Sequence, residues 1–329
     1  MPETRVGVAL DRELERAQAA LLARFAPDAQ VRRLRWSQGE TQVFELGAGP
    51  PLVYVHGGLS GAFEVVPILG ALAQNHRVLA VDRPGHGLAD AFDYRGVDLL
   101  GHARSFLEDV LDALDLAAPA VVANSIGAYF AVALALDTPR RVSRLAIVGA
   151  PFGLARRPPA QLLPLGLPVI GPRLGRHVFS NATRDGSRRF FGQVLVEHPE
   201  RIDDLLLDAD VANSRRNAES MLGLVARIAD FRRLGYRREL MLGERWHALT
   251  TETLFIWGER DAFGSPEHGE ALVARNPRLR LVRVAGAGHL LAIDDPDVTV
   301  AASRSIIFAD SPRRAAEELR ETLWEISGG

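Results

Sequence analysis

Short strand-like runs alternating with helix-length stretches constrain this chain more than any single residue does. Leu52-Val53-Tyr54-Val55 is an uninterrupted apolar run, which suits a strand covered on both faces of a sheet. Further strands are read over Arg77–Val81, Ala120–Ala123 and Val142–Val148. Helices are read between them, over 63–74, over 98–114, and from Ser125 to about Asp137, where Pro139 stops the last one. Strand then helix, repeated, closes into a parallel sheet with helices on both faces. Ahead of this unit, Leu14, Ala17, Leu21, Leu22 and Phe25 recur at a helical period, with Asp11 to cap and Pro27 to close. That helix is expected to pack on the outside of the sheet unit. Val31–Trp36 and Thr41–Leu46 flank a Ser37-Gln38-Gly39-Glu40 turn and read as a hairpin.

The rhythm breaks at Pro151. Six prolines fall at 151, 158, 159, 164, 168 and 172, and no buried strand is read until Thr253-Leu254-Phe255-Ile256-Trp257. The stretch between is helical, and residues 151–248 hold 16 Arg against 11 Asp and Glu. About a hundred residues far exceeds an ordinary connection. Residues 151–248 are therefore expected to form an inserted helical cap over one end of the sheet, with 1–150 and 249–329 forming the core domain. After the insertion the alternation resumes: a helix over 266–276, the last strand over Leu279–Val284, and a helical tail. In that tail Ser311-Pro312 caps a stripe of Ala315, Leu319, Leu323 and Trp324.

Composition bounds the chemistry. At 329 residues the chain can bury a large core. A formal net charge of −2 gives no reason to expect a nucleic-acid partner. There is no Cys and no Lys, which excludes disulfides, thiolate or Cys-ligated metal chemistry, and Schiff-base formation on a Lys. Residues 1–9 lack the basic flank and apolar run of a signal peptide, and no stretch of about 18 residues is apolar and uncharged enough to span a membrane. A cytoplasmic protein acting on a small molecule, without metal or cofactor, is the expectation. Exposed cap surfaces and terminal helices could make a homodimer.

The chemistry gathers at loops that come after strands. Val121-Val122-Ala123-Asn124-Ser125-Ile126-Gly127-Ala128 runs from a β-branched strand through Ser into a small-residue helix, the outline of a nucleophile elbow. Ala123 stands where the usual pattern has Gly, and Asn124 is expected at the strained position because Asn tolerates unusual backbone angles. A serine hydroxyl needs a base in reach and a carboxylate to orient that base. His289, in Gly286-Ala287-Gly288-His289, and Asp261, in Gly258-Glu259-Arg260-Asp261, each come just after a strand and supply the order Ser, acid, His that accompanies an elbow serine. Glu259 and Asp82 are the rival acids. Backbone N–H groups of Ile126 and Gly58 are expected to form the oxyanion hole. His56 and His86 sit just past strand ends and are expected to brace their loops.

With these residues in place, the chain resembles the α/β-hydrolase superfamily over about residues 30–305 outside the cap. The resemblance rests on His56-Gly57-Gly58, Asp82-Arg83-Pro84-Gly85-His86-Gly87, Ala123-Asn124-Ser125-Ile126-Gly127, Gly258-Glu259-Arg260-Asp261 and Gly286-Ala287-Gly288-His289. It implies an α/β fold with a mostly parallel central sheet, helices on both faces and an inserted cap. The layout is similar to a capped subgroup of esterases, meta-cleavage carbon–carbon bond hydrolases, epoxide hydrolases and haloalkane dehalogenases. The last two use an Asp nucleophile, against which Ser125 argues. The expected function is a serine hydrolase that cleaves a small, largely apolar ester through an acyl-enzyme on Ser125. A carbon–carbon bond hydrolase is the alternative, and a non-catalytic ligand-binding relative the third reading. His56, Leu59, Phe152, Met221 and Trp246 are the candidate substrate contacts. The Arg excess of the cap is either a solvated face or an attraction for a carboxylate-bearing substrate.

Overall fold

The computed structural model describes residues 5–308. In chain order the strands are β1 (Gln30–Trp36), β2 (Gly39–Leu46), β3 (Pro51–Val55), β4 (Arg77–Val81), β5 (Ala120–Asn124), β6 (Arg144–Val148), the two-residue pair β7 (Ala229–Asp230) and β8 (Gly235–Tyr236), then β9 (Thr253–Gly258) and β10 (Leu279–Val284). Among the described residues eight of these form one sheet in the order β1-β2-β4-β3-β5-β6-β9-β10. The β1–β2 and β2–β4 pairings are antiparallel, and every other pairing in that sheet is parallel. β7 and β8 form a separate antiparallel hairpin.

Why the central strands read as continuous apolar runs is visible in their packing. Val53 and Val55 of β3, with Val121 and Ala123 of β5, enter one core, while Leu52, Tyr54, Ala120 and Val122 enter the core on the opposite face. Helices α3 (Leu99–Ala113) and α4 (Ile126–Asp137) cover the first face. Helices α1 (Arg5–Phe25) and α2 (Val66–Leu72) contribute to the second. With both faces covered, neither set of side chains can be polar.

Between β6 and β9 the chain is helical: α5 (Ile170–Ser180), α6 (Arg184–Phe190), a π turn over Phe191–Leu195, and the 25-residue α7 (Asp204–Ile228). Asp203 caps α7 by accepting the Leu205 N–H at 2.8 Å. A buried polar row on α7 holds it to the loop after β4. Asn213 Oδ1 accepts the Gly87 N–H at 2.9 Å, Asn217 Nδ2 donates to Gly87 O at 2.8 Å, and Ser220 Oγ accepts the Phe92 N–H at 3.1 Å. On its other side α7 packs against α1, through Arg215 to Glu13 at 2.7 Å and Arg216 to Asp11 at 2.5 Å. The N-terminal helix thus rests partly on α7.

The chain closes with α8 (Pro266–Val273), α9 (Leu291–Asp294) and α10 (Pro296–Phe308). Two helices read from sequence are shorter. The stretch 63–74 is a 3-10 turn over Ala62–Val65 leading into α2, with Pro67 in its first turn. α8 ends at Val273 rather than 276. α10 begins well before the helix read from Ser311-Pro312, and that helix, with its Ala315, Leu319, Leu323 and Trp324 stripe, lies outside the described residues. Among the described residues no helix is long and apolar enough to cross a membrane.

Candidate active site

Five loops meet at the C-terminal edge of the sheet, after β3, β5, β6, β9 and β10, the edge at which ligands bind in folds of this kind. The turn between β5 and α4 is the tightest of them. Ser125 has φ +54° and ψ −117°, a backbone state that L residues rarely adopt and that costs about 1–3 kcal/mol. The strain falls on Ser125 itself. This corrects the expectation that Asn124 holds the strained position. Asn124 instead donates its side-chain amide to Val148 O at 2.8 Å and to His289 O at 3.4 Å, tying the turn to β6 and to the His289 loop. Gly127 is the one glycine the turn requires, because a Cβ there would overlap the carbonyl oxygens of Val55 and His56. Ala123, fully buried on β5, fits without such conflict.

His289 and Asp261 are brought together from loops 28 residues apart. His289 Nδ1 lies 2.8 Å from Asp261 Oδ2 and 3.0 Å from Oδ1, with both side chains almost wholly buried. The same carboxylate accepts the Ala150 N–H at 2.7 Å and the Phe263 N–H at 2.8 Å, which fixes its orientation. Phe263 then stacks on the imidazole with ring centroids 4.1 Å apart. The π turn fastens the loop from the other side: Leu195 O accepts both the His289 and Leu290 N–H groups at 2.8 Å. Asp294 adds to this by accepting the Gly288 N–H at 2.7 Å and the His198 N–H at 2.9 Å. With Nδ1 facing a carboxylate, the tautomer protonated there leaves Nε2 as the ring's acceptor.

The rival acids have other partners. Glu259 is exposed and pairs with Arg283 at 3.2 Å. Asp82 is buried between the Ala62 N–H, at 2.7 Å, and the Leu88 N–H, at 2.9 Å, and burial pushes its carboxyl up to about 6. His56 Nε2 accepts the Arg83 N–H at 2.9 Å, and burial holds its pKa well below the usual value. It braces the loop between β3 and β4.

Ser125 and His289 line one cavity of about 1300 Å³, counting the solvent at its mouth. Among the described residues no hydrogen bond joins the two side chains. Gly58 and Ile126 line the same cavity, and among the described residues their N–H groups take part in no turn, loop or side-chain hydrogen bond. Next to Gly58, Leu59 has φ +58°, a second non-glycine residue held in the left-handed region at this edge. A hydroxyl on a strained turn, an imidazole tethered to a carboxylate, and unclaimed N–H groups at the start of α4 and in the loop after β3 are together the requirements of nucleophilic acyl chemistry. Among the described residues no group of three or more His, Asp or Glu side chains could hold a metal ion.

Of the candidate substrate contacts, Leu59 and Phe152 line the cavity. His56, Met221 and Trp246 do not. His56 is consumed in the Arg83 contact, Met221 is fully buried with Phe179 and Leu222, and Trp246 is fully buried against Phe255. Two lining residues the sequence reading missed are Glu64 and Asp210. The signal was present: each is an acid set among apolar residues, in Ala62-Phe63-Glu64-Val65-Val66 and in Leu206-Leu207-Asp208-Ala209-Asp210-Val211.

Comparison with known proteins agrees with this architecture. The family model described as "Alpha/beta hydrolase family" matches residues 52–302, so the chain belongs to the alpha/beta hydrolase family and is a hydrolase. More particularly, it is 30% identical over 258 residues to a 2-hydroxy-6-oxononadienedioate/2-hydroxy-6-oxononatrienedioate hydrolase of Cupriavidus pinatubonensis, covering 74% of this chain and 82% of that one. It is 29% identical over 270 residues to the protein of the same name from Paraburkholderia xenovorans, covering 78% and 87%. Among solved structures, carboxylesterase CesB of Bacillus subtilis superposes with a TM-score of 0.70 at 18% identity, over 91% of this chain and 99% of that one.

Proposed function

We propose that the protein is a serine hydrolase that cleaves a small, largely apolar acyl compound, an ester in the first instance. The observation that carries this reading is the strained Ser125 sharing one cavity with an imidazole already bonded to a buried carboxylate. Ser125 Oγ attacks the acyl carbonyl, His289 takes its proton, and Asp261 holds the tautomer and steadies the imidazolium. The N–H groups of Ile126 and Gly58 hold the oxyanion. His289 returns the proton to the leaving group, and water repeats the attack on the acyl-enzyme. Residues 151–248 act as a cap over the 1–150 and 249–329 core, since Phe152, Phe190, Phe191, Leu195 and Leu224 supply much of the apolar wall. Ser125→Ala should abolish turnover of a short p-nitrophenyl ester and covalent labelling by a fluorophosphonate while the fold persists. Undiminished turnover in that variant overturns the reading.

A second reading, carbon–carbon bond cleavage, is favoured by the names of the relatives at 29–30% identity. It uses the same residues. Turnover of a vinylogous diketone dienoate beside simple esters separates the two.

A further inference from the structure

The cavity that holds Ser125 has acids in its wall and no arginine. Glu64, Asp210 and Asp230 line it, while among the described residues none of the arginines does. Asp230 is already paired with Arg233 at 3.0 Å. Glu64 and Asp210 are different, being only 6% and 7% exposed. One oxygen of Glu64 is structural: Oε1 accepts the Tyr54 hydroxyl at 2.8 Å and the Gly57 N–H at 3.0 Å, which orders the loop carrying Gly58. The other, Oε2, is buried in the wall with no hydrogen-bond partner, although the Ser60 hydroxyl stands beside the carboxyl. Asp210, from α7, has the Ser187 hydroxyl beside it, and the Glu64 charge disfavours its ionised form. A buried acceptor without a donor, as Glu64 Oε2 is, costs free energy, and a ligand that brings a donor recovers that cost.

The buried Arg83 favours the Glu64 carboxylate by its charge while donating to His56 O and Gly57 O, and the arginines named next, from residues 151–248, are engaged elsewhere. On α7 itself, Arg215 and Arg216 reach outward to Glu13 and Asp11. Arg188 and Arg184 of α6 pair with Asp204, Arg176 of α5 with Glu219, and Arg227 with Glu239. These arginines thus pair outward, and the charged residues left on the apolar cavity wall are acids.

We propose that Glu64 and Asp210 form an acceptor subsite of the cavity that takes a protonated amine of the substrate and rejects a carboxylate. The inference rests on the serine-hydrolase reading for the reacting end of the substrate and names the chemistry of the other end. It also sets this chain apart from relatives whose names specify a dioate, because Glu64 and Asp210 line the cavity and repel a carboxylate on the ligand, whereas Arg83, whose charge favours the Glu64 carboxylate, does not line it.

The test uses three p-nitrophenyl esters with acyl chains of equal length that end in methyl, ammonium or carboxylate. The ammonium ester is expected to exceed the carboxylate ester in kcat/KM by a factor on the order of a hundred. Asp210→Asn is expected to lower that ratio at least about tenfold. Glu64→Gln keeps an acceptor for Tyr54 and Gly57, places an amide donor where the unpartnered oxygen was, and should lower the ratio too. Because the readout is a ratio within one protein, a general loss of activity cancels. A carboxylate ester turned over as well as the ammonium ester, or a ratio unchanged in folded Asp210→Asn, overturns the proposal. Thermal stabilisation by an alkylammonium but not by the alkanoate of equal length gives the same answer without turnover, and equal stabilisation by both overturns it. If fluorophosphonate fails to label Ser125, the serine reading falls, while the stabilisation experiment still decides the subsite.

Discussion

Asp210→Asn also makes a stability prediction whose size comes from the buried carboxyl. Desolvation is the main cause that pushes Asp210 up, from 3.8 to about 6, with repulsion from Glu64 adding to it. Below pH 3.8 the group is protonated in the folded and unfolded chains and contributes nothing to the difference between them. Between 3.8 and about 6 the unfolded chain releases the proton while the folded chain keeps it, so stability falls as pH rises. Above about 6 the penalty is complete. Some two pKa units correspond to about 3 kcal/mol. Asn carries no charge and escapes this penalty, and it also relieves Glu64 of its neighbour. The variant should therefore gain about 2.5 kcal/mol on the wild type between pH 4 and pH 8, beyond any pH-independent offset from lost contacts. With an unfolding entropy of about 0.7 kcal/mol/K for 329 residues, that is a relative Tm gain of about 4 °C. Asp82 titrates in the same window in both proteins and cancels. Urea unfolding of both proteins at a series of pH values measures the difference, and parallel curves from pH 4 to 8 would refute a buried, ionising Asp210.

The site makes sharper demands elsewhere. Asp261→Asn keeps an acceptor for only one of the Ala150 and Phe263 N–H groups and withdraws the charge from His289; kcat for a p-nitrophenyl ester should fall by about 10³–10⁴ with KM little changed. Gly127→Ala forces a methyl onto two backbone carbonyls that cannot swing away, and should lower stability by about 1–3 kcal/mol or more in urea, with activity lost in the folded fraction. Trp246→Ala empties a fully buried site outside the cavity; it should cost about 3–5 kcal/mol while leaving the ratio of kcat/KM between two esters unchanged.

Much of the fold was legible because strand burial writes itself into local composition. Leu52–Val55 and Ala120–Ala123 are apolar at every position since both faces of the sheet are covered, and that pattern needs no knowledge of partners. Ser125, Asp261 and His289 were legible for a related reason. Each comes just after a strand, and parallel strands end at the same edge, so three separate positions in sequence imply one place. The first-turn proline of α2 and the end of α8 at Val273 show where local patterns blur, at helix ends rather than in helix identity.

The sequence by itself determined the alternation of strands and helices, the sheet edge, and the chemistry gathered there, because period and spacing are local properties of the chain. Only the tertiary structure decided which side chains the cavity sees. Met221 and Trp246 look like pocket walls in sequence, but they turn inward to their own cores, whereas Glu64 and Asp210, acids set among apolar residues, line the cavity. Which side of α7 faces Ser125 depends on how α7 docks through Asn213, Asn217 and Ser220 onto the loop after β4, and those contacts span more than a hundred residues. The arginines were counted correctly from sequence, yet their direction was settled by ion pairs with α1, α6 and α7, which turned them outward and left acids as the charged residues of the apolar cavity wall.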